Sequence, residues 1–599
     1  MSSLPLRLDI QGLRALAVLA VIVFHINKEW LPSGFIGVDI FFVISGYIIS
    51  TIILNRKSDF SILDFYNKRI LRIVPPYIFL LSITCLVSTI LLTNNDLIDF
   101  YQSIKTALLF YSNYYFSDFG NYFSPSSEEL PLLHTWSLSV EMQFYFILPF
   151  LLLFFSEKTN KTIIISTIIL ITIWCELYNE NHSDIYFSLT ARIPEFLIGT
   201  FAAIIYRKNY NLRYLSHFGI FLLIPCLFLI PESKFPGILS ILPCLATALI
   251  LLQKQENIIN QYFSKKIIVY IGTISYSLYL WHWPILAFFR YYSEQKILDL
   301  KYITLSVILT AILSILSYHL IEKSISKNKK SRVYSFILFN LIFILLLLTF
   351  GKDINKKITP DNPLSLSRYA DAKMICHSQI LPSCLVMTSP KEKNVLVIGD
   401  SHAGQLNLYF KHLSKSTDYN FNVISSSSCL PIEKFNINNL PEWAVEPCKR
   451  QIKIIQKELP KYDTVIISAL WSKHLEDKDF SFALSDFINK TKNTHNILIM
   501  AQIPTFSRNV KRVEHFKSLG LNPEIHVEEY QSTANQEIQA LSKKSNITFL
   551  DFSKNHMFAA APFYKDIPIY FDSNHLNESG VELYVQNTGK ELISTLNKF

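Results

Sequence analysis

Charge is scarce in this sequence. Only 17% of its 599 residues are Asp, Glu, Lys or Arg, against roughly a quarter in an ordinary soluble domain. The shortfall is uneven. Apolar runs fill residues 13–350, whereas 351–599 has the mixed composition of a globular domain. A single soluble domain is therefore excluded, and at least two domains are expected. The first apolar run, about 13–29, lacks the small-residue cleavage site of a secretory leader and carries Arg14 within it, so it reads as a transmembrane helix. Internal repeats, metal-ligand spacings and a P-loop are also missing, so no metal and no bound cofactor are expected. The formal net charge of +9, from 56 basic and 47 acidic residues, does not point to nucleic acid. Many of the basic residues sit in short loops between apolar runs, where they set orientation.

Eleven apolar runs of membrane-spanning length are present, near 13–29, 35–54, 76–93, 138–156, 162–178, 188–206, 216–231, 236–253, 267–289, 302–321 and 333–350. Basic segments follow the even-numbered runs: 56–72, 157–161, 207–213, 254–266 and 322–332. The positive-inside rule puts these segments in the cytoplasm, with the N-terminus. Eleven spans then place everything after 350 outside. Removing one span, such as 188–206 or 216–231, would invert that side. Cys85, Cys175, Cys226 and Cys244 lie in the apolar runs and are expected as small core residues. Cys376, Cys384, Cys429 and Cys448 lie in the exported part. Three pairings are possible. Cys376–Cys384 with Cys429–Cys448 closes the shortest loops, and four free thiols are the alternative.

Ionisable groups within a membrane are expensive and mark either function or a buried pair. Arg14 and His25 are eleven residues apart, about three helical turns, so they share a face with roughly 16 Å of rise between them. Asp39 opens the second run, where Gly37 and Gly46 permit close packing. His134, Ser137 and Glu141 fall at i, i+3, i+7, one helical face. Arg192 and Glu195 are spaced as an ion pair. His282 stands between two tryptophans that read as interfacial anchors.

Together these stretches resemble the membrane-bound acyltransferase-3 family. The resemblance rests on Arg14-x10-His25, GVDIFFVISGY (37–47), KRILRIVPP (68–76), HTWSLSVEMQFY (134–145), RIPEFLIG (192–199) and YSLYLWHWP (276–284), and covers residues 7 to about 323. The chain departs from the pattern at Met142, where a second acid is usual, and at Glu322-Lys323-Ser324, where Glu-x-Pro is usual. The resemblance implies transfer of an acyl group, usually acetyl, from cytoplasmic acyl-CoA to a carbohydrate across the membrane. Arg14, Lys68, Arg69 and Arg72 are expected to collect where coenzyme A phosphates need cations. His25 is expected to act as a general base, its imidazole oriented by Glu141 or Asp39. His134 is a further substrate-side candidate.

The C-terminal part reads as an α/β domain. KNVLVIGDSHAGQ (393–405) is a strand, a turn and a helix, and 421–431, 461–472, 495–504 and 546–552 are further strands alternating with helical stretches. Ser401 sits in the first turn, and Asp572 and His575 precede a C-terminal helix. A serine after the first strand with a late Asp-x-x-His makes a triad in a three-layer sandwich with a parallel sheet. About 393–599 resembles the SGNH (GDSL-like) hydrolase family in the form fused to acyltransferase-3 domains, through Gly399-Asp400-Ser401-His402 and Asp572-Ser573-Asn574-His575. The glycine and asparagine blocks that complete that family's oxyanion hole are not recognisable. Ser425–Cys429 and Ser468–Ser472 stand in their places, leaving the Ser401 N–H as the expected donor. Trp471 is expected near Ser401, stacked on a sugar.

The expected organisation is an acyltransferase domain of ten helices at 1–325, an eleventh helix at 326–350, a linker at 351–392 and an extracytoplasmic domain at 393–599. The expected function is O-acetylation of a lipid-linked or surface polysaccharide of the O-antigen type in the bacterial inner membrane. Acetyl-CoA would be the donor and Ser401 a relay. Membrane lipids are the remaining expected partner. Two other readings are a transporter or sensor with a carbohydrate-binding domain, and a membrane-anchored carbohydrate esterase.

Overall fold

The computed structural model describes residues 7–119, 126–178, 183–208, 214–326, 330–359, 362–371, 373, 375–381 and 393–599. The chain forms two compact units, Met1–Asn355 and Lys356–Phe599.

The first unit is helical. Among its described residues, eight helical stretches are long and apolar enough to cross a membrane: Leu8–Ile26, Gly34–Leu54, Ile62–Leu91, Thr135–Phe154, Glu157–Tyr178, Leu189–Tyr206, Leu300–Glu322 and Lys330–Ile358. Leu215–Leu229 and Ile238–Leu252 are shorter apolar helices. The run expected at 267–289 is divided into helices Lys266–Thr273 and Ser275–Ser293. The basic segment 56–72, read as a loop, is helical from Ile62 onward, because Ser61 Oγ caps the helix by accepting from Asp64 N. That continuation matters for the site, since it fixes Arg69 and Arg72 at i, i+3.

Glycine decides the packing of two of these helices. A Cβ on Gly46 would lie 2.1 Å from Phe196 O, and one on Gly199 would lie 2.0 Å from Val43 O. The helices Gly37–Leu54 and Leu189–Tyr206 therefore touch backbone to backbone at reciprocal points. Close to that contact, Arg192 Nη1 donates to Asp39 Oδ1 at 3.1 Å and Glu195 Oε1 at 2.9 Å, with all three side chains buried.

The second unit holds a five-stranded parallel sheet of order β2-β1-β3-β4-β5. The strands are β1 (Lys393–Gly399), β2 (Tyr419–Ser425), β3 (Thr464–Ser468), β4 (Asn496–Met500) and β5 (Thr548–Leu550). Alternation along β1 divides the core. Val395 and Val397 face one apolar layer with Tyr409, Phe410 and Leu592, whereas Leu396 and Ile398 face another with Trp471, Leu484 and Ile538. Both faces are covered, as a parallel sheet requires. Cys429 and Cys448 form the expected disulfide. Cys376 is also disulfide-bonded, and its expected partner Cys384 lies outside the described residues. The four cysteines of the apolar runs are free and buried.

Candidate active sites

Each unit carries its own constellation. In the first, Arg14, Arg69, Arg72, Ser137, Glu141 and Tyr279 line one cavity, with about 860 Å³ of empty space counting its mouth. Arg14 Nη1 donates to Gln11 Oε1 at 3.3 Å. Arg69 Nε is buried with no hydrogen-bond partner among the described residues. Glu141 accepts from Ser45 Oγ at 2.5 Å and from Tyr145. The charge of Glu322 acts on both Arg14 and Arg72. Three guanidinium groups line this cavity, and the buried Arg69 N–H there is a donor suited to an anionic acceptor.

His25 shares the helix Leu8–Ile26 with Arg14 but is not among the residues lining the cavity. Its Nδ1 lies 3.0 Å from His282 Nε2, and His282 Nδ1 lies 2.6 Å from Tyr279 O. Arg290 Nη2 donates to His25 O at 2.5 Å. The expectation that Asp39 or Glu141 orients His25 is therefore corrected. Asp39 is committed to Arg192, and Glu141 faces the cavity. His134 directly precedes the helix Thr135–Phe154 without a side-chain capping bond and lies with its ring 6.0 Å from that of His282, outside the cavity lining. Lys68 is also corrected. It points to solvent and pairs with Asp64 at 2.6 Å.

In the second unit, β1 delivers the nucleophile turn. A Cβ on Gly399 would fall 1.8 Å from Ser468 O, so only glycine lets β1 end against β3 there. Asp400 then caps the short helix Ser401–Gln405, accepting from His402 N at 2.7 Å. Its other oxygen accepts from Leu470 N at 2.8 Å and pairs with His474 Nε2 at 2.9 Å. Burial raises the Asp400 carboxyl, but these donors outweigh it and hold its pKa at about 2.

Ser401 Oγ lies 2.7 Å from His575 Nε2, and His575 Nδ1 lies 2.8 Å from Asp572 Oδ2. Asp572 Oδ1 accepts from Asn574 N at 2.9 Å and His575 N at 2.8 Å, which folds the loop so that Asp572 stays against the His575 ring. Burial raises the Asp572 carboxyl; the charge and hydrogen bond of His575 and the two backbone donors outweigh it, leaving it below its ordinary value. Asn577 caps the helix Glu578–Leu596 directly after the loop. Gln405 Oε1 accepts from Leu576 N at 2.6 Å and ties the two halves of the site together.

Trp471 requires correction. It is fully buried, donates from Nε1 to Met500 O at 2.9 Å, and packs in the core beside Phe480. An indole in that layer has no face for a sugar. An aromatic ring that does lie at the triad is that of Tyr369, 5.2 Å from the His575 ring, from the stretch read only as linker. His402 is a further neighbour, its ring 5.2 Å from His575; burial pulls its pKa down to about 4, so it is neutral at pH 7. The serine run is also spent locally. Ser426 N donates to Gly399 O, Ser427 N to Ser378 Oγ, and the hydroxyls of Ser425 and Ser427 bracket His377 at 2.9 and 2.8 Å. The backbone N–H groups of Ser426, Ser427, Leu470 and Trp471, in place of the glycine and asparagine blocks, are all engaged elsewhere.

Residues 7–322 match the family described as an acyltransferase domain, acyltransferase 3. The chain belongs to that family. Residues 369–587 match the SGNH domain in the form fused to acyltransferase-3 domains. The O-acetyltransferase OatA of Staphylococcus aureus (strain NCTC 8325 / PS 47) is 29% identical over 354 residues, 55% of this chain and 58% of its own. A putative O-acetyltransferase of Staphylococcus aureus (strain COL) is 32% identical over 348 residues, 53% of this chain and 57% of its own. The chain thus spans a little over half the length of these relatives. The periplasmic domain of a lipopolysaccharide acetyltransferase from Salmonella ser. Paratyphi A aligns with 18% identity and a TM-score of 0.29, covering 37% of this chain and 92% of that one.

Proposed function

We propose that this acyltransferase-3 chain moves an acetyl group from cytoplasmic acetyl-CoA to hydroxyls of a lipid-linked or surface polysaccharide, with Ser401 as a covalent relay. What carries the reading is one conjunction: a cation-lined cavity among membrane helices and a hydrogen-bonded Ser–His–Asp chain occur in one polypeptide. The relatives named as O-acetyltransferases support the choice of acyl group and bond.

Arg14, Arg69 and Arg72 bind the phosphates of the donor, and His25 is the base that activates the hydroxyl attacking the thioester. In the outer domain, Ser401 Oγ bonds to the carbonyl carbon of the acetyl ester or thioester delivered to it, and its proton passes through His575 to the oxygen or sulfur that departs. A sugar O–H then gives its proton to His575 as its oxygen bonds to the acetyl carbon, His575 hands that proton to the departing Ser401 Oγ, and Asp572 stabilises the transient imidazolium in both halves. The engaged donors around Ser401 leave a site that is slow toward simple esters, so rate depends on acceptor binding. The protein resides in the bacterial inner membrane with its N-terminus in the cytoplasm and residues 356–599 outside, in the topology that the basic loops give.

The test is Ser401→Ala in the full chain. Acetylation of surface glycan, read by mass spectrometry and NMR, is expected to fall by most of its value, while the membrane unit still consumes acetyl-CoA. Intact acetylation would reduce the outer domain to an acceptor-binding module.

A further inference from the structure

We infer that His282 is a positioning residue that holds His25 in the Nδ1–H tautomer, so that His25 Nε2 is the bare nitrogen that accepts the proton. The inference rests on His25 being the base of the membrane unit and adds what makes it one.

The argument is a count of protons along a hydrogen-bond chain. His282 is fully buried on the helix Ser275–Ser293. Its Nδ1 lies 2.6 Å from Tyr279 O. A carbonyl oxygen only accepts, so His282 Nδ1 carries the hydrogen. The neutral ring then has a bare Nε2, and that atom lies 3.0 Å from His25 Nδ1. The contact is a hydrogen bond only if His25 Nδ1 donates. His25 Nε2 is consequently the acceptor of the pair's outer end. The opposite assignment would set a bare His282 Nδ1 lone pair against a carbonyl oxygen at 2.6 Å. A doubly protonated His282 would bury a cation beside a second one, because the charged side chain acting on it is Arg290. The two rings are nearly coplanar in orientation, with 13° between their planes and 5.2 Å between centroids. Trp283 stands edge-on to His25 at 4.6 Å. Arg290 Nη2, donating to His25 O, fixes the backbone that carries the base.

The division of labour is that of a catalytic dyad whose orienting member is neutral. An imidazole in the carboxylate's usual place orients and sets the tautomer without adding a charge to the membrane interior, where an unpaired carboxylate is costly. In the transfer step an acceptor O–H gives its proton to His25 Nε2 while the oxygen lone pair forms a bond to the thioester carbonyl carbon. The C–S bond then breaks, and the departing thiolate takes the proton back from His25 Nε2. Acceptor hydroxyl and acyl thioester become ester and thiol, and His25 and His282 are returned unchanged.

Full-length His282→Phe, His282→Gln and His25→Ala chains are compared for acetyl-CoA turnover in membranes at matched abundance. His282→Phe keeps the ring volume and removes the acceptor, and is expected to lose about 100-fold or more in kcat with KM for acetyl-CoA within threefold. His282→Gln returns an amide oxygen and is expected to recover at least tenfold of that loss. Turnover by His282→Phe within twofold of wild type, beside an inactive His25→Ala, overturns the inference and leaves the His25 base intact. Full turnover by His25→Ala overturns the base itself. Should His282→Phe fail to accumulate, nitrogen-15 spectra of the unsubstituted chain decide. A His25 signal with protonated Nδ1 and bare Nε2 supports the inference, and the reverse tautomer overturns it.

Discussion

The Asp400 carboxylate lies 2.9 Å from His474 Nε2, one residue before the nucleophile and 74 residues away in sequence. One acid thereby pins two segments: it caps the Ser401 helix and accepts from the loop after β3. Replacing His474 by Phe removes a hydrogen bond to a buried charge, worth about 1.5–3 kcal/mol. His474→Phe is expected to lower the unfolding free energy of residues 356–599 by about that amount in urea titrations. It should also slow hydrolysis of a chromogenic acetyl ester roughly tenfold, because the Ser401 turn loosens. Unchanged values in both assays would show that the pair only fills space.

Trp471 offers the opposite expectation. Its indole is in the core and its N–H is spent on Met500 O, so Trp471→Ala is expected to cost about 3–5 kcal/mol of stability. Acceptor affinity should be untouched in whatever fraction folds. Tyr369→Ala should do the reverse, weakening acceptor use with little loss of stability. Titration of both variants with an oligosaccharide acceptor separates the two roles.

The sequence pattern carried the architecture further than it carried the contacts. Alternation in 395–398 and the Gly399–Ser401 turn were readable because a parallel strand and its site obey short-range rules. Ser401, Asp572 and His575 were readable from local signals too, since Ser401 opens a helix directly after β1 and Asp572 and His575 share one short loop before the helix Glu578–Leu596. Asp39 and Glu141 were misassigned as partners of His25 because helical periodicity fixes which face a residue occupies but not which neighbour that face meets. His282 was visible between two tryptophans, yet its link to His25 spans 257 residues and has no local signature. Trp471 misled because strand-end aromatics serve cores and sugar sites alike. Arg69 and Arg72 were expected at the donor site with Lys68, and only the helix that Ser61 caps separates the two arginines lining the cavity from the lysine facing solvent.

Acid should unfold the outer domain in a characteristic order. Burial lowers His402 and His377 to about 4, against an ordinary value near 6.5 in the unfolded chain. Between those values the unfolded chain binds protons that the folded one does not, so stability rises with pH there. The contribution is complete above about 6.5 and lost as pH falls to about 4, amounting to about 3 kcal/mol for the fully buried His402. Asp400, held near 2, adds stability that disappears only below about 4. Urea midpoints of residues 356–599 are expected to fall steadily from pH 6.5 to 4, and His402→Phe should flatten that slope. A slope unaltered by the substitution would place the titration elsewhere.

Gly46 and Gly199 should tolerate nothing larger. The built Cβ atoms meet backbone oxygens at 2.1 and 2.0 Å, and backbone cannot rotate away as a side chain can. Gly199→Ala is expected to part the two helices at a cost of about 1–3 kcal/mol, and it moves the helix that carries Arg192. Reduced thermal stability of the detergent-solubilised chain, with greater loss in the Gly46→Ala, Gly199→Ala double variant, is the expected result. Wild-type melting in both single variants would contradict this packing.

The last expectation concerns the cations of the cavity. Arg14, Arg69 and Arg72 line it, whereas Lys68 on the same basic stretch faces solvent with Asp64. If the three arginines hold donor phosphates, their removal should raise KM for acetyl-CoA and leave the chemistry at saturation nearly unchanged. A charge-assisted hydrogen bond of about 1.5–3 kcal/mol corresponds to a loss of roughly 10- to 150-fold in donor affinity. Arg69→Ala and Arg72→Ala are each expected within that range, Arg14→Ala likewise, and Lys68→Ala within twofold of wild type. The distinguishing measurement uses acetyl-pantetheine, a thioester without the nucleotide phosphates. Wild type and arginine variants should use it equally poorly, since the contact removed by substitution is the contact this donor never makes. An arginine variant that loses acetyl-CoA and acetyl-pantetheine turnover to the same degree would instead make that arginine part of the cavity's framework.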